Sequence, residues 1–425
     1  MTPQRLPEPR FIRDNAPWLA AGMLLTFSSC FGQTYFISTF AGEIRAEFGL
    51  SHGQWGSIYG AGTLAAAMIM IWAGVLTDQF RVRVLGAGVL VMLAVACLSM
   101  ATVPVGWMLL GVVMLLRLAG QGMCGHIATT AMARWFVATR GRALAVATMG
   151  FALAEATMPL LFVTLKEFVP WRGLWVLAAC IVLAMIPVLL ALLKRERTPQ
   201  STADDSHSPG MSGRHWTRGE AIRHPLFWYM MPALLGPPTF MTALFFHQVH
   251  LSELKGFTHQ QFVSLFPIYT TFGILAMLCW GWLIDRFGSS KLMPLMQLPL
   301  AVSFTIMAGG ESVGIALLSL MFLGITLGAM GAVPAAFIAE IYGTRHIGSI
   351  RAAAVAVTVF GSAVGPVLTG LLIDQGIGFE AQLGWIALYF ILTSALLWFG
   401  IKRSAPTPHS VVASDAPNLA VSSKD

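Results

Sequence analysis

Two charges stand where charges are costly. Arg117 lies in an apolar run from Trp107 to about Ala133, and Glu155 lies in the next, from about Ala143 to Leu165. Every other Asp, Glu, Lys and Arg reads as sitting at or beyond the end of an apolar segment. A charge at bilayer depth costs several kcal/mol, so it marks a functional site by default. If the first run descends and the second returns, a rise of about 1.5 Å per residue sets Arg117 roughly 15 Å below one edge and Glu155 about 20 Å above the other. The two then share a level to within about 5 Å in a core about 30 Å thick. A guanidinium there can grip an organic anion through a forked carboxylate contact. The plainer reading is a structural ion pair with Glu155. Glu155 can also carry a proton, with burial and the nearby guanidinium pulling its proton affinity in opposite senses. An anion that captured Arg117 would release Glu155 to protonate, which would couple solute to proton.

Other side chains could complete such a site. Gln121 lies one turn from Arg117 and either lines a cavity or bonds across helices. Gln33, Thr34 and Tyr35 in the first run, and Tyr269 in the eighth, are candidate solute contacts. His247, Gln248 and His250 near the end of the seventh run could bind solute or form an outer gate; ordinary interfacial histidines are the alternative. His126 reads as packing near the other face. The histidines are scattered and no Gly-rich phosphate loop follows a strand, so neither an enzyme nor a cofactor is expected. Cys30, Cys97, Cys124, Cys180 and Cys279 all fall inside apolar runs and read as buried packing thiols.

The frame for these residues is a membrane. Of 425 residues 56% are hydrophobic and 11% charged, with a mean hydropathy of +0.73; soluble domains carry about 25% charged residues. The apolar runs are about 20 residues or longer, which means helices rather than barrel strands. Twelve spans are expected. Six lie near 17–40, 54–77, 84–103, 106–133, 143–165 and 171–193. Six more lie near 226–250, 261–284, 291–309, 313–339, 352–374 and 381–401. The first run lacks a small-residue cleavage site and reads as a retained helix. With the N-terminus inside, 21 of the 26 Lys and Arg fall in cytoplasmic segments and four outside, which places both termini in the cytoplasm. The net charge of +7 follows from that placement and implies no nucleic acid. The expected segments are a tail 1–16, a bundle 17–193, a loop 194–225, a bundle 226–401 and a tail 402–425. In the loop, Thr217-Arg218-Gly219-Glu220 is a capping box that starts a short helix through Arg223, broken by His224-Pro225.

The halves echo each other. Gly74-Val75-Leu76-Thr77-Asp78 closes span 2 and Gly281-Trp282-Leu283-Ile284-Asp285 closes span 8, offset by 207. Arg140 to Gly150 leads into span 5 as Arg351 to Gly361 leads into span 11, offset by 211. Six-plus-six repetition signals a secondary transporter with its site between the halves. Gly361, Gly365 and Gly370 around Pro366 allow close packing and a bend in span 11.

Twelve spans, the central loop and the two Gly-x-x-x-Asp loops resemble the major facilitator superfamily. Its loop 2–3 signature runs roughly Gly-x-x-x-Asp-x-x-Gly-Arg-Arg/Lys; this chain keeps Gly74, Asp78, Arg81 and Arg83 but lacks the second Gly. Trp135-Phe136 with Arg140-Gly141-Arg142-Ala143, the Thr217-to-Trp228 lead and Gly361 to Gly370 resemble the monocarboxylate and oxalate/formate branch. The acidic-Gly-x-aromatic-x-Trp start of span 1 and the Arg inside span 8 are missing here. The resemblance implies an all-α membrane fold of two pseudo-symmetric six-helix bundles. It also implies alternating access, with Gly74, Asp78, Arg81, Arg134, Arg140, Gly281, Asp285 and Arg286 in the gating loops. The expected activity is proton-coupled transport of a monocarboxylate or related anion by a monomer in a bacterial inner membrane. The alternative is an exporter or facilitator of a neutral or amphipathic compound.

Overall fold

The computed structural model describes residues 9–136, 139–195 and 209–404, and these are predominantly helical with no strand among them. Among the described residues, ten helices are long and apolar enough to cross a membrane. The two remaining spans are the first of each half, and both depart from plain apolar helix. Span 1 runs as a helix Pro9–Ser28, a 3-10 turn Ser29–Gly32 and an extended Gln33 (φ −84°, ψ 151°). Short turns Thr34–Ile37 and Ser38–Phe40 then lead into a helix Ala41–Phe48. Span 7 is a helix Pro225–Phe246 that holds Pro232, Pro237 and Pro238, and Gln248–Leu254 follows it. Phe40 (φ −104°, ψ 8°) and His247 (φ −96°, ψ 19°), 207 positions apart, bend the two spans alike.

Glycine permits the break in span 1. A Cβ at Gly32 would sit 2.8 Å from Gly120 Cα and 2.8 Å from Gln121 N, so two backbones cross in contact. Span 4 meets that crossing with an unusual stretch: Leu109–Leu116 and Gly125–Trp135 are α-helical, but Arg117–Cys124 between them is π-helical. Such wide turns often mark functional positions. The regular 106–133 helix expected from the sequence is thus locally widened and underwound from Arg117 to Cys124.

The halves join tightly at the end that carries residues 41–53. A Cβ at Gly56 would lie 2.5 Å from Pro366 O, and one at Gly370 would lie 2.5 Å from His52 O, so span 2 packs backbone-close on span 11. Ser38 Oγ donates to Phe245 O (2.7 Å), and Gln260 Nε2 donates to Thr164 Oγ1 (3.2 Å), both between halves. Trp55 stacks on Phe246 at 5.7 Å. We refer to this as the closed end.

The linker forms as its sequence requires. Thr217 Oγ1 accepts from Glu220 N, Glu220 Oε2 accepts from Thr217 N (2.8 Å), and the helix Arg218–Arg223 ends at an extended His224. The Thr217 N–H and the Thr217 hydroxyl, both donating to Oε2, hold the exposed Glu220 carboxyl below its ordinary value. Residues 1–8, 196–208 and 405–425 of the expected tails and loop lie outside the described residues. The cysteine reading needs one correction. Cys30, Cys97 and Cys124 are buried, but Cys180 and Cys279 are exposed on the outward faces of spans 6 and 8. An apolar run alone does not tell which face of its helix turns inward.

Candidate transport site

A cavity of about 430 Å³ lies between the halves. The N-terminal half supplies Gln33, Thr34, Tyr35, Gln121 and Glu155. The C-terminal half supplies Tyr269, Thr242, Thr358, Ser362 and Arg351, set among Met241, Phe245, Met296, Met330 and the prolines Pro237, Pro238 and Pro334. Thus Gln33, Tyr35, Gln121, Glu155 and Tyr269 come together as the sequence suggested. Toward the end opposite the closed one, Ile338, Arg351 and Ala354 form the wall.

Arg117 is not in that wall. It is buried, 2% exposed, and points at the break in span 1. Its Nη1 donates to Gly32 O (3.2 Å) and Thr34 Oγ1 (3.3 Å), and its Cζ lies 5.3 Å from the Tyr59 ring centre. Thr34 Oγ1 and Tyr59 OH share a hydrogen bond of 2.5 Å. No Arg117–Glu155 ion pair occurs among the described residues. Two charges expected at one depth need not face each other, because depth along a helix does not fix the direction of a side chain. The break in span 1 frees the buried Gly32 carbonyl from helical bonding, and Arg117 turns to it. The π-helical turn also removes the assumption that positions four apart share a face, so Gln121 reaches the cavity and Arg117 does not. Arg117 Nε and Nη2 and the Tyr35 hydroxyl have no hydrogen-bond partner here.

His247 and Gln248 also lie outside the cavity wall. Gln248 Nε2 donates to Tyr35 O (2.9 Å) and Ser38 Oγ (2.7 Å), which binds span 7 to span 1 at the closed end. His247 is buried with Nε2 3.4 Å from Pro366 O. His247 and Gln248 therefore stand at the closed end rather than on the cavity wall. His126 packs as expected, with Nε2 3.3 Å from Gly74 O.

At the other end the loops are pinned. Arg134 forms an ion pair with Asp78 through Nη2, and its Nη1 donates to Thr77 O (2.7 Å). Arg81 stands at the start of the span 3 helix Val82–Thr102, and the Arg140 side chain lies outside the described residues. In the second half Gly281 makes no close approach, and Asp285 enters no ion pair among the described residues. Arg286 lies over Trp282 (5.3 Å) and Phe287 (5.6 Å). The pin there is Glu340, which accepts from Ser289 N (3.0 Å), from Ser289 Oγ and from Ser290 Oγ (2.8 Å). Sequence reasoning missed Glu340 and Arg351. Glu340 stands 206 positions after Arg134, nearly the repeat offset, which would have drawn attention to it. Arg351 was read as a loop cation, but its helix starts at Ile347, so it lies inside span 11.

The family model described as Major Facilitator Superfamily matches residues 22–278 and 239–423. No curated protein matches the sequence. Among solved structures, the chain is similar to a bacterial homolog of the human lysosomal transporter Spinster in an inward-facing, unoccupied conformation. That match has a TM-score of 0.70 and 15% identity, and it covers 93% of this chain and 99% of the other. It is also similar to the nucleoside transporter NupG, with a TM-score of 0.68, 15% identity, and 91% and 98% covered.

Proposed function

Because the chain belongs to the Major Facilitator Superfamily, a family of small-solute transporters, we propose that it is a proton-coupled carrier whose proton site is Glu155. The carrying observation is the cavity wall: Glu155 lines it among amide, hydroxyl, Met, Pro and aromatic groups, while Arg117 is turned away to span 1. Such a wall suits a small uncharged or amphipathic organic solute, and about 430 Å³ is within the size range of small-molecule sites. A carboxyl facing such a cavity can bind a proton from one side and lose it to the other as the halves rock. We infer that the closed end faces outward and that both termini are cytoplasmic, from the placement of Lys and Arg. A bacterial inner membrane is the proposed setting. One chain supplies both walls of the cavity, which supports a monomer as the working unit.

One observation favours the monocarboxylate reading. Arg351 lines the cavity toward its open end and can hold a carboxylate there. The two readings separate in one experiment. Purified protein is heated with a panel of neutral solutes and monocarboxylates at two pH values, beside Glu155→Gln and Arg351→Ala; bound ligand raises apparent stability. A shift with neutral compounds that survives Arg351→Ala supports the first reading. A shift with monocarboxylates that Arg351→Ala removes supports the second. In liposomes, Glu155→Gln should lose pH-driven accumulation by about tenfold or more. Full pH-driven accumulation in that variant would remove Glu155 as the proton site.

A further inference from the structure

The closed end holds a second group of titratable side chains that the cavity does not use. His52 begins span 2, and His247 and His250 follow the end of the span 7 helix, so their rings meet across the boundary between halves. The His52 and His250 ring centres are 4.3 Å apart, and those of His52 and His247 are 5.7 Å apart. Arg45, from the extension of span 1, and Glu253, from that of span 7, line the same small recess. Asp374 at the end of span 11 accepts from Ser51 Oγ (2.6 Å), His52 N (3.1 Å) and Gly53 N (2.8 Å). It therefore caps the first turn of a helix that belongs to the other half, where a negative charge also meets the positive end of the helix dipole.

We propose that this cluster is a proton-operated latch, held shut while His52 and His250 are neutral and released when they take up protons from the medium on that side. Two imidazolium rings 4.3 Å apart, with Arg45 beside them, would put three positive charges against the carboxylates of Asp374 and Glu253. Parting the halves separates the rings and removes their repulsion. The closed arrangement therefore binds these protons less tightly than the open one, and acid favours the open one. An ordinary imidazole titrates near pH 6.5, so closure should hold above roughly that pH and fail as pH falls below it. This latch is distinct from Glu155 in place and in purpose, and it does not depend on the class of solute.

Spin labels on Ala46→Cys and Gln375→Cys, exposed positions on opposite halves, read the distance across this end once Cys180 and Cys279 are replaced by Ala. Double electron–electron resonance at about pH 7.5 and about pH 5.5 brackets the imidazole range. Acid should raise the long-distance population by about threefold or more. The His52→Gln, His250→Gln double variant should give one distribution at both pH values, and Glu155→Gln should respond as the parent does. If the double variant does not purify, His250→Gln alone breaks the closest ring pair and carries the same expectation. No acid response in the parent overturns the latch. So does a response that survives loss of the histidines, or one that Glu155→Gln abolishes.

Discussion

The two six-helix halves are cross-linked at matching places with the signs reversed. Between the end of span 1 and the start of span 6, the anion comes first: Glu47 pairs with Arg172 at 2.6 Å. Between the end of span 7 and the start of span 12, the cation comes first: Lys255 pairs with Glu380 at 2.7 Å. The loop pins behave alike. Arg134 of span 4 holds Asp78, whereas Glu340 of span 10 holds the hydroxyls of Ser289 and Ser290. The repeated backbone sets where a cross-link is needed. Coulomb energy does not depend on which partner carries which sign, so each half has settled the sign separately. The real difference lies nearer the membrane centre. The first half breaks span 1 at Gln33 and widens span 4 at Arg117. In the second half span 7 stays helical, and the position 207 beyond Arg117 is Gly324, whose Cβ would lie 2.7 Å from Tyr269 O. Most of the cavity's amide groups and its carboxylate therefore come from one half, and its apolar wall from the other.

Breaking that central difference should have the largest effect. Gly32→Ala forces a Cβ into the Gly120 backbone, and with both backbones fixed by their helices the overpacking should cost about 3 kcal/mol or more. Purified yield and melting temperature should both fall. The matching position in the second half is Thr239, which already bears a side chain and donates to Leu235 O; Thr239→Ala should cost only about 1 kcal/mol. Equal melting temperatures for the two variants would mean that the break in span 1 is not pinned by this crossing.

The loop pins come next. Asp78→Asn removes the charge that Arg134 holds and should fold normally yet transport about tenfold more slowly, if the pin sets the balance between open and closed packings. Asp285→Asn at the repeat position should transport like the parent, because Asp285 enters no ion pair among the described residues. In that half Glu340→Gln should show the defect instead. Uptake assays on the three variants decide it; a severe loss in Asp285→Asn with normal Glu340→Gln would restore the symmetric reading of the two loops.

The ease with which parts of this molecule could be read from sequence follows physical lines. Hydropathy and loop charge speak for whole segments, so the helical architecture, the repeat and the Thr217–Glu220 box were legible. Rise per residue is fixed, so a position along a span gives an expected depth. Facing was not. Whether Arg117 turns to Glu155 or to Gly32 O depends on a break in span 1 and a π-helical turn in span 4, and neither has a period to detect. Nor did the sequence single out Pro237, Pro238 and Pro334, which line the cavity. Arg351 was hidden by its nearness to a span end, where positive charge ordinarily means only orientation.

The smallest expected effect tests the reversed signs themselves. Arg172 and Trp171 hold the Glu47 carboxyl below its ordinary value by hydrogen bonding to it. A carboxyl lowered in this way stabilises the fold above its unfolded value, about 4.3, and the contribution disappears as pH falls through the lowered one. Both partners are well exposed, so the contribution is only a few tenths of a kcal/mol. Glu380→Gln should cost more, since it strands Lys255, whose side chain is 1% exposed. If sign is free, Glu47→Lys should be worse than Glu47→Gln, and adding Arg172→Glu should recover part of the loss. Recovery cannot be complete. Arg172 also donates to Ala101 O (2.8 Å) and Val103 O (2.7 Å), and a glutamate cannot replace those donors. Melting temperatures of the two single variants and the double variant, read as a cycle, should show a favourable coupling between positions 47 and 172. Zero coupling would mean that Arg172 serves the two carbonyls alone, and that its match to Glu380 across the repeat reflects position and not electrostatics.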